Sequence, residues 1–386
     1  MSVASRSIIH QVKQHLSQYP IVALTGPRQS GKTTLLKKFL PDYRYVSLEN
    51  ADQRAFALKD TAGFLAKYDS KIIFDEVQRS PQLFSYLQTM VDESGQMGQF
   101  ILSGSQNFHL LSNITQSLAG RVAIFKLLPF DLSELTLANM IEPDWKSQLI
   151  KGFYPAIYDR ELNPSVYYSN YLQTYVNRDI ADLTRVQDTK RFRNFVKLCA
   201  ARVGQLLNLN SLANACGITQ PTAKSWLSIL EASYIVFLIE PYHENFKKRI
   251  VKSPKLYFYD SGLLSFLLGL RRVDDLGNQR LLGSLYENMV VADLVKNNYH
   301  QNLLREYWFW RDSAGHEIDL MTKTGDQFDI FEIKSTQTIL PNTTAGLDYF
   351  DKLTDGAVRS KTLIYGGEQK YKRTDFHVRT WRELDF

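Results

Sequence analysis

Cysteine is nearly absent from this sequence: Cys199 and Cys216 are the only two in 386 residues. Neither stands at metal-ligand spacing from another cysteine or histidine, so a disulfide framework and a zinc site are both excluded as expectations, and two buried thiols remain. Long apolar runs are missing too. The longest obvious one, Tyr234 to Ile239, is far shorter than the roughly 18 to 20 residues that span a bilayer, so no membrane partner is expected. The first residues carry no cleavage-site pattern; Ile8, Ile9, Val12 and Leu16 stand at helical spacing and predict an amphipathic helix packed on a core. There is no Asn-Lys-x-Asp tetrapeptide for guanine selection, no repeat with a period of about 20 to 50 residues and no low-complexity linker. A cytoplasmic, multi-domain protein is the expectation. At 386 residues and 44% hydrophobic content, two or three cores are feasible, since domains run to about 100 to 200 residues. The net charge of +6 leans mildly toward polyanionic partners.

What is present begins at Gly26. The segment Gly26-Pro27-Arg28-Gln29-Ser30-Gly31-Lys32-Thr33 is a full phosphate-loop motif placed just after the apolar run Ile21 to Leu24. A strand delivers the chain to a loop whose backbone N–H groups surround phosphate oxygens, and the segment from Thr34 to Leu40 reads as the helix whose N-terminal partial charge favours the anion. Lys32 is expected to reach the β- and γ-phosphates, and Thr33 to sit on Mg²⁺. A second apolar strand, Lys71 to Phe74, ends in Asp75 and Glu76. Asp75 is the metal-side candidate and Glu76 the general base for the water that attacks the γ-phosphate. A third strand ends in Ser103-Gly104-Ser105, where Ser103 is the candidate contact to the γ-phosphate or its water and Ser105 the weaker one.

These residues resemble the P-loop ATPases of the AAA-like (ASCE) class, and more narrowly a bacterial and archaeal family in which such an ATPase carries a C-terminal domain of unknown function. The resemblance covers nearly the whole chain. It rests on Thr25 to Thr34, Phe74-Asp75-Glu76, Ser103-Gly104-Ser105, Leu118-Ala119-Gly120-Arg121, Lys252-Ser253-Pro254-Lys255 and Tyr259-Asp260-Ser261-Gly262-Leu263. It implies an ATP site built on Gly26 through Thr34, and it implies that Arg121 belongs to the nucleotide machinery, of its own site or of a neighbour's in a homo-oligomer. Arg178 and Asp179 resemble a family signature as well, beside the plainer reading of a helix-surface salt bridge.

Further along, Leu212, Ala215, Ile218, Ala223, Trp226, Leu227 and Leu230 suit two short helices joined at Gly217, with Thr219 capping the second. This reads as a helix-turn-helix. Tyr234 to Ile239 is the expected following strand, and Lys247, Lys248, Arg249, Lys252 and Lys255 form a basic run beside it. Thr222, Lys224 and Ser225 would face a DNA groove; a protein-docking helix pair is the alternative. A second, looser basic group runs through Lys370, Lys372, Arg373, Arg379 and Arg382.

The final third holds a helix pattern from Ser284 to Val295 with Glu287 in its first turns. Strands follow at Tyr307 to Trp310, His316 to Leu320 and Phe328 to Lys334. Side chains alternate along a strand, so Glu332 and Lys334 share one face while Phe331 and Ile333 take the other, and Asp319 comes alongside from its neighbour. The arrangement resembles the restriction-endonuclease-like PD-(D/E)xK nucleases, with Ile318 where the motif has proline. The resemblance implies Glu287, Asp319 and Glu332 as ligands of Mg²⁺ or Mn²⁺, and Lys334 as the residue that positions the attacking water.

The expected fold is therefore α/β throughout. An AAA-like P-loop ATPase domain (residues 1–145) precedes a helical winged-helix region (146–255) and a C-terminal α/β nuclease-like domain (256–386). The expected function is ATP hydrolysis with Mg²⁺, coupled to binding or processing of DNA. The alternative is a non-cleaving, ATP-dependent regulator of the defence or toxin-control type, docking on DNA or on another protein.

Overall fold

The apolar run before the phosphate loop forms strand β1 (Ile21–Thr25), buried along its whole length. The same holds for β3 (Ile72–Asp75) and β4 (Phe100–Gly104), as expected of a parallel sheet covered on both faces. The computed structural model describes residues 4–105, 114, 117–174, 188–243, 251–277 and 281–384. It divides into two compact units, the first comprising Met1–Phe130, Ala232–Tyr234 and Tyr299–Leu303, the second the remainder.

In the first unit β2 (Arg44–Ser47) and β5 (Val122–Lys126) complete a five-stranded sheet of order β2-β3-β4-β1-β5. Every pairing is parallel. Alternation sorts the strand residues into two cores. Ile21, Ala23, Ile72, Phe74, Phe100 and Leu102 join one, with side chains from α3 (Ala51–Lys59), α4 (Thr61–Lys67) and α5 (Leu83–Ser94). Val22, Leu24, Ile73, Ile101 and Phe125 join the other, with α1 (Ile8–His15) and α2 (Lys32–Phe39). The amphipathic helix expected at the N-terminus is α1, whose Ile8, Ile9 and Val12 are buried and whose neighbour Leu16 packs on the same core. Inserting β4 between β1 and β3 is what matters for function. It aligns Leu24, Ser103 and Asp75 side by side at one end of the sheet.

The second unit opens with short helices, α6 (Leu132–Leu137), α7 (Trp145–Lys151), α8 (Pro155–Asp159) and α9 (Pro164–Tyr171). Asp131 and Glu134 close a reciprocal capping box on α6. Then come α10 (Thr189–Ala200), α11 (Leu209–Cys216) and α12 (Gln220–Ala232). Gly217 ends α11 in the left-handed region at φ 63°, and the Thr219 hydroxyl accepts from the Thr222 amide at 3.3 Å. Leu212, Ala223, Trp226, Leu227 and Leu230 are buried as expected, whereas Ala215 is exposed and Ala213 and Cys216 take the inward positions. Cys199 and Cys216 are free and buried.

Strands β6 (Val236–Pro241) and β7 (Lys255–Phe258) pair as an antiparallel hairpin. They continue into a sheet with β8 (Trp308–Arg311), β9 (Glu317–Thr324), β10 (Gln327–Lys334), β11 (Val358–Tyr365), β12 (Tyr371–Lys372) and β13 (His377–Thr380). Its order is β12-β13-β11-β10-β9-β8-β6-β7. The helices α13 (Ser261–Leu267), α14 (Leu282–Gln301) and α15 (Ala345–Leu353) belong to the same part of the chain, and α15 buries Leu347 and Phe350 against Trp310, Phe328 and Ile330. The expected boundaries at 145 and 255 fall on the first residues of α7 and β7. Lys247, Lys248 and Arg249, and likewise Arg178 and Asp179, lie outside the described residues. No helix among the described residues is long and apolar enough to cross a membrane.

Candidate functional site

The chain leaves β1 through Gly26 at φ 149°, Gln29 at φ 63° and Gly31 at φ 94°. A Cβ at Gly26 would lie 2.0 Å from the Leu127 carbonyl oxygen, so only glycine fits that turn. Pro27 and Ser30 are buried, Arg28 is half-buried, and Gln29 and Thr34 are exposed. Lys32 folds back into the loop, where its Nζ donates to the carbonyls of Gly26 and Pro27 at 2.8 Å each. Burial lowers its pKa to about 8, against the opposing pull of Glu76 and Asp75.

Opposite the loop, Asp75 is a hub. Its Oδ2 accepts the Thr33 hydroxyl at 2.9 Å and the Tyr45 hydroxyl at 2.5 Å. Burial, reinforced by the bond to Asp75, raises the Tyr45 pKa far above the ordinary phenol. Glu76 follows in the left-handed region at φ 53°, an uncommon conformation for a residue with a Cβ and one that recurs at functional sites. Its Oε2 accepts from Ser105 through the hydroxyl at 3.1 Å and the amide at 3.4 Å, and from the Gln78 side chain. The hydroxyls of Ser30 and Ser103 are fully buried and have no hydrogen-bond partner among the described residues. Such orphans are rare in folded proteins and call for an explanation.

Arg121 requires a correction. It precedes β5, whose first residue pairs with Ile21 at the beginning of β1, whereas the phosphate loop leaves the end of β1. In a parallel sheet those are opposite edges, separated by roughly 15 Å of strand. The Arg121 guanidinium instead grips Asp92 with two bonds, at 2.5 and 2.7 Å. It takes no part in the nucleotide site of its own chain.

Of the second group of expected residues, Asp319, Glu332 and Lys334 meet directly, while Glu287 is held by other side chains. Asp319 on β9 lies beside β10, where its Oδ2 accepts the Ile333 amide at 2.8 Å and stands 3.6 Å from the Lys334 ammonium. Lys334 also pairs with Glu332, its same-face neighbour. From α14, Glu287 accepts the Tyr257 hydroxyl at 2.6 Å. A second lysine completes the cluster. Lys255 is 3% exposed, and its ammonium lies 3.1 Å from Glu287 and 2.5 Å from Glu317. It is thus a buried member of this cluster and not part of a DNA-facing basic run.

Burial raises the Glu332 carboxyl to about 8, with help from Asp319 and against Lys334. Burial opposes protonation of Lys255, but Tyr257 and the carboxylates of Glu287, Asp319 and Glu317 outweigh it and hold its pKa well above the ordinary value. The Glu332 Oε2 is buried without a hydrogen-bond partner among the described residues. The oxygens of Glu287, Asp319 and Glu332 do not all come within 4.8 Å of one another. The two ammonium groups divide the cluster, Lys255 with Glu287 and Glu317, Lys334 with Asp319 and Glu332.

Sequence reasoning missed Tyr45, Gln78, Tyr257 and Glu317, and it assigned Lys255 to the wrong environment. For Lys255 a signal existed. It alternates with Tyr257 in a four-residue strand whose every position is buried, and a lysine in such a strand requires an internal anion.

Residues 18–136 match a family described as "AAA domain". Residues 142–274 and 282–384 match two families described as domains of unknown function, DUF8612 and DUF4143. The loop motif, the parallel sheet and the first match agree in giving the front of the chain the character of an AAA-like P-loop domain. The whole chain is similar to an uncharacterized protein of Mycobacterium tuberculosis, 29% identical over 97% of this chain and 83% of the relative. An uncharacterized protein of Haemophilus influenzae is 21% identical over 84% of this chain and 85% of its own length. Among solved structures, a Walker-type ATPase of Pyrococcus abyssi is 14% identical, with a TM-score of 0.45, over 67% of this chain and 93% of that one. The DnaA protein of Aquifex aeolicus bound to AMPPCP is 15% identical, with a TM-score of 0.29, over 58% of this chain and 85% of that one.

Proposed function

We propose that the chain is a Mg²⁺-dependent ATPase whose nucleotide state governs how a winged-helix and nuclease-like module engages DNA. The observation that carries the ATPase reading is the contact between Thr33 and Asp75, 2.9 Å apart beside the phosphate loop. Two hard oxygen donors meet there, and the orphan hydroxyls of Ser30 and Ser103 lie on the same loop and strand end, so the residues fit Mg²⁺ and a triphosphate. In this mechanism the loop amides receive the phosphates, and Lys32 leaves the carbonyls of Gly26 and Pro27 for the β- and γ-oxygens. Thr33 and Asp75 would hold Mg²⁺, which when bound neutralises charge on the transferring group. Glu76 takes the proton of the attacking water as the water oxygen bonds to the γ-phosphorus and the bond to the bridging oxygen breaks, giving ADP and phosphate. Ser103, aligned between Leu24 and Asp75, reads the γ-phosphate. Arg121, at the far end of the sheet and paired with Asp92, is left to a neighbouring copy's site or to that surface ion pair alone. Glu76→Gln is expected to retain ATP binding and to lose turnover by at least a hundredfold; hydrolysis at the wild-type rate in that variant would remove Glu76 from its role.

The DNA-binding reading is supported by element order. Helix α10, a bridge between Leu206 and Lys255, helices α11 and α12 and the β6–β7 hairpin follow one another as in winged helices. Lys224 and Ser225 are exposed on α12. The nuclease reading is supported by the meeting of Asp319, Glu332 and Lys334, with Glu287 near enough to feel the Asp319 charge, and the Glu332 oxygen left without a partner among the described residues fits a divalent cation. That cation, when bound, would activate water toward a phosphodiester. Mg²⁺- or Mn²⁺-dependent nicking that disappears in Asp319→Ala and in Lys334→Ala is expected; nicking that persists in both comes from a contaminant.

A second reading has its own observation. Each of the four carboxylates already touches Lys255 or Lys334, an arrangement of ion pairs that a retained but non-cleaving fold would keep. Absence of cleavage of any DNA form, with ATP turnover intact, favours this regulator.

A further inference from the structure

Strand β10 has two working faces. Glu332 and Lys334 occupy one; Asp329 and Phe331 occupy the other, in register with Ser360 and Thr362 of β11. Thr362 in turn pairs with His377 of β13, and Arg379 lies two residues further on the same side. Over this reverse face lies a cavity of about 260 Å³, to which Arg305 and Arg359 also contribute.

The charge of its wall is one-sided. Three guanidinium groups line the cavity against a single carboxylate, Asp329. That carboxylate is already engaged, by the Arg359 Nε at 2.9 Å, by the Arg359 Nη2 and by the Ser360 hydroxyl at 2.6 Å, which leaves Arg305 and Arg379 as the guanidinium groups it does not pair. The Arg379 Nε is buried and has no hydrogen-bond partner among the described residues. Burial, with Lys372 and Arg379 nearby, holds the His377 pKa below its usual range.

Guanidinium forks match phosphate oxygens, and hydroxyls at their side complete such a set. A cavity of about 260 Å³ is smaller than the roughly 300 Å³ at which pockets for drug-sized ligands begin, which limits the occupant to a few heavy groups. We propose that this reverse-face cavity binds a phosphate group, carried by a small phosphate ester, by a diphosphate, or by the 5′ end of a nucleic-acid strand, with Arg379 as the principal contact. The site is separate from the phosphate loop and does not depend on ATP turnover or on DNA cleavage.

The test uses the full chain carrying Lys32→Ala, so that the phosphate loop does not contribute its lysine. Inorganic pyrophosphate is titrated into it by calorimetry at low salt. One binding site is expected, weakened at least tenfold when Arg379→Gln is added. If that variant fails to fold, the more exposed Arg359→Gln serves in its place and is expected to weaken binding at least fivefold. Competition by a 5′-phosphorylated oligonucleotide, and not by its 5′-hydroxyl counterpart, assigns the phosphate to a strand end; competition by neither assigns it to a free ester or diphosphate. Absence of binding at millimolar pyrophosphate, or equal affinity with and without Arg379, overturns the proposal.

Discussion

A lysine shut inside a loop of carbonyls is uncomfortable as a cation, and Lys32 shows it in a pKa lowered to about 8 by burial. A triphosphate reverses that situation, because the protonated form then gains an anion. Below pH 8 the lysine is already charged and binding needs no proton. Above pH 8 the nucleotide-free lysine is neutral, so binding must take up a proton, and affinity falls by about tenfold per pH unit until the lysine of the complex titrates as well. Calorimetry of ATP binding at pH 9 in buffers of different ionisation enthalpy is expected to register uptake of close to one proton. The uptake disappears in Lys32→Met; equal proton uptake in that variant would assign it to another group. At this scale the turn that leaves β1 was legible, because its residues are consecutive and its shape is set locally by Gly26 and Gly31. Tyr45 and Glu317 were not. Tyr45 meets Asp75 from 30 positions away, and Glu317 meets Lys255 from 62 positions away in the numbering, so no local pattern announces either.

Elements were legible where one face had to be buried. The spacing of Ile8, Ile9 and Val12 predicted α1, and all three are buried against Val22, Leu24 and Phe125. Ile8 is completely enclosed, so Ile8→Ala is expected to cost about 2 to 5 kcal/mol, measured as an earlier first transition in urea. A loss below about 0.5 kcal/mol would mean that the helix is not part of the core. Arg121 illustrates what periodicity omits. A strand can be recognised from its apolar residues, but which end of it approaches a ligand depends on the direction of its neighbours, and direction is a property of the sheet. The hairpin of β6 and β7 was half legible for the same reason. Its first strand was expected as an attachment to the helix-turn-helix, whereas its pairing with β8, through Glu240 with Trp308 and Pro241 with Phe309, links it to strands more than 60 residues downstream.

For the molecule as a whole, the proposed function requires that the ATPase and the DNA-engaging module answer to one another. ATP turnover is expected to rise at least twofold when double- or single-stranded DNA is added, and the stimulation is expected to fade as salt increases, because phosphate contacts release counterions. Turnover indifferent to every form of DNA would leave a protein partner as the effector. The division of the chain was legible only in order. The sequence pattern announces an ATPase, a helical part and a strand-rich part in succession, yet the second unit gathers the last two around one eight-stranded sheet.

Strand β7 ends that sheet, and its four residues include both Lys255 and Tyr257, the two groups that hold Glu287. The hairpin that follows α12 is thereby tied to the acidic cluster through the Lys255 ammonium and the Tyr257 hydroxyl. Displacing the hairpin by more than the length of a hydrogen bond would also slacken the ammonium's hold on Glu287 and Glu317, so strand and carboxylates answer to the same movement.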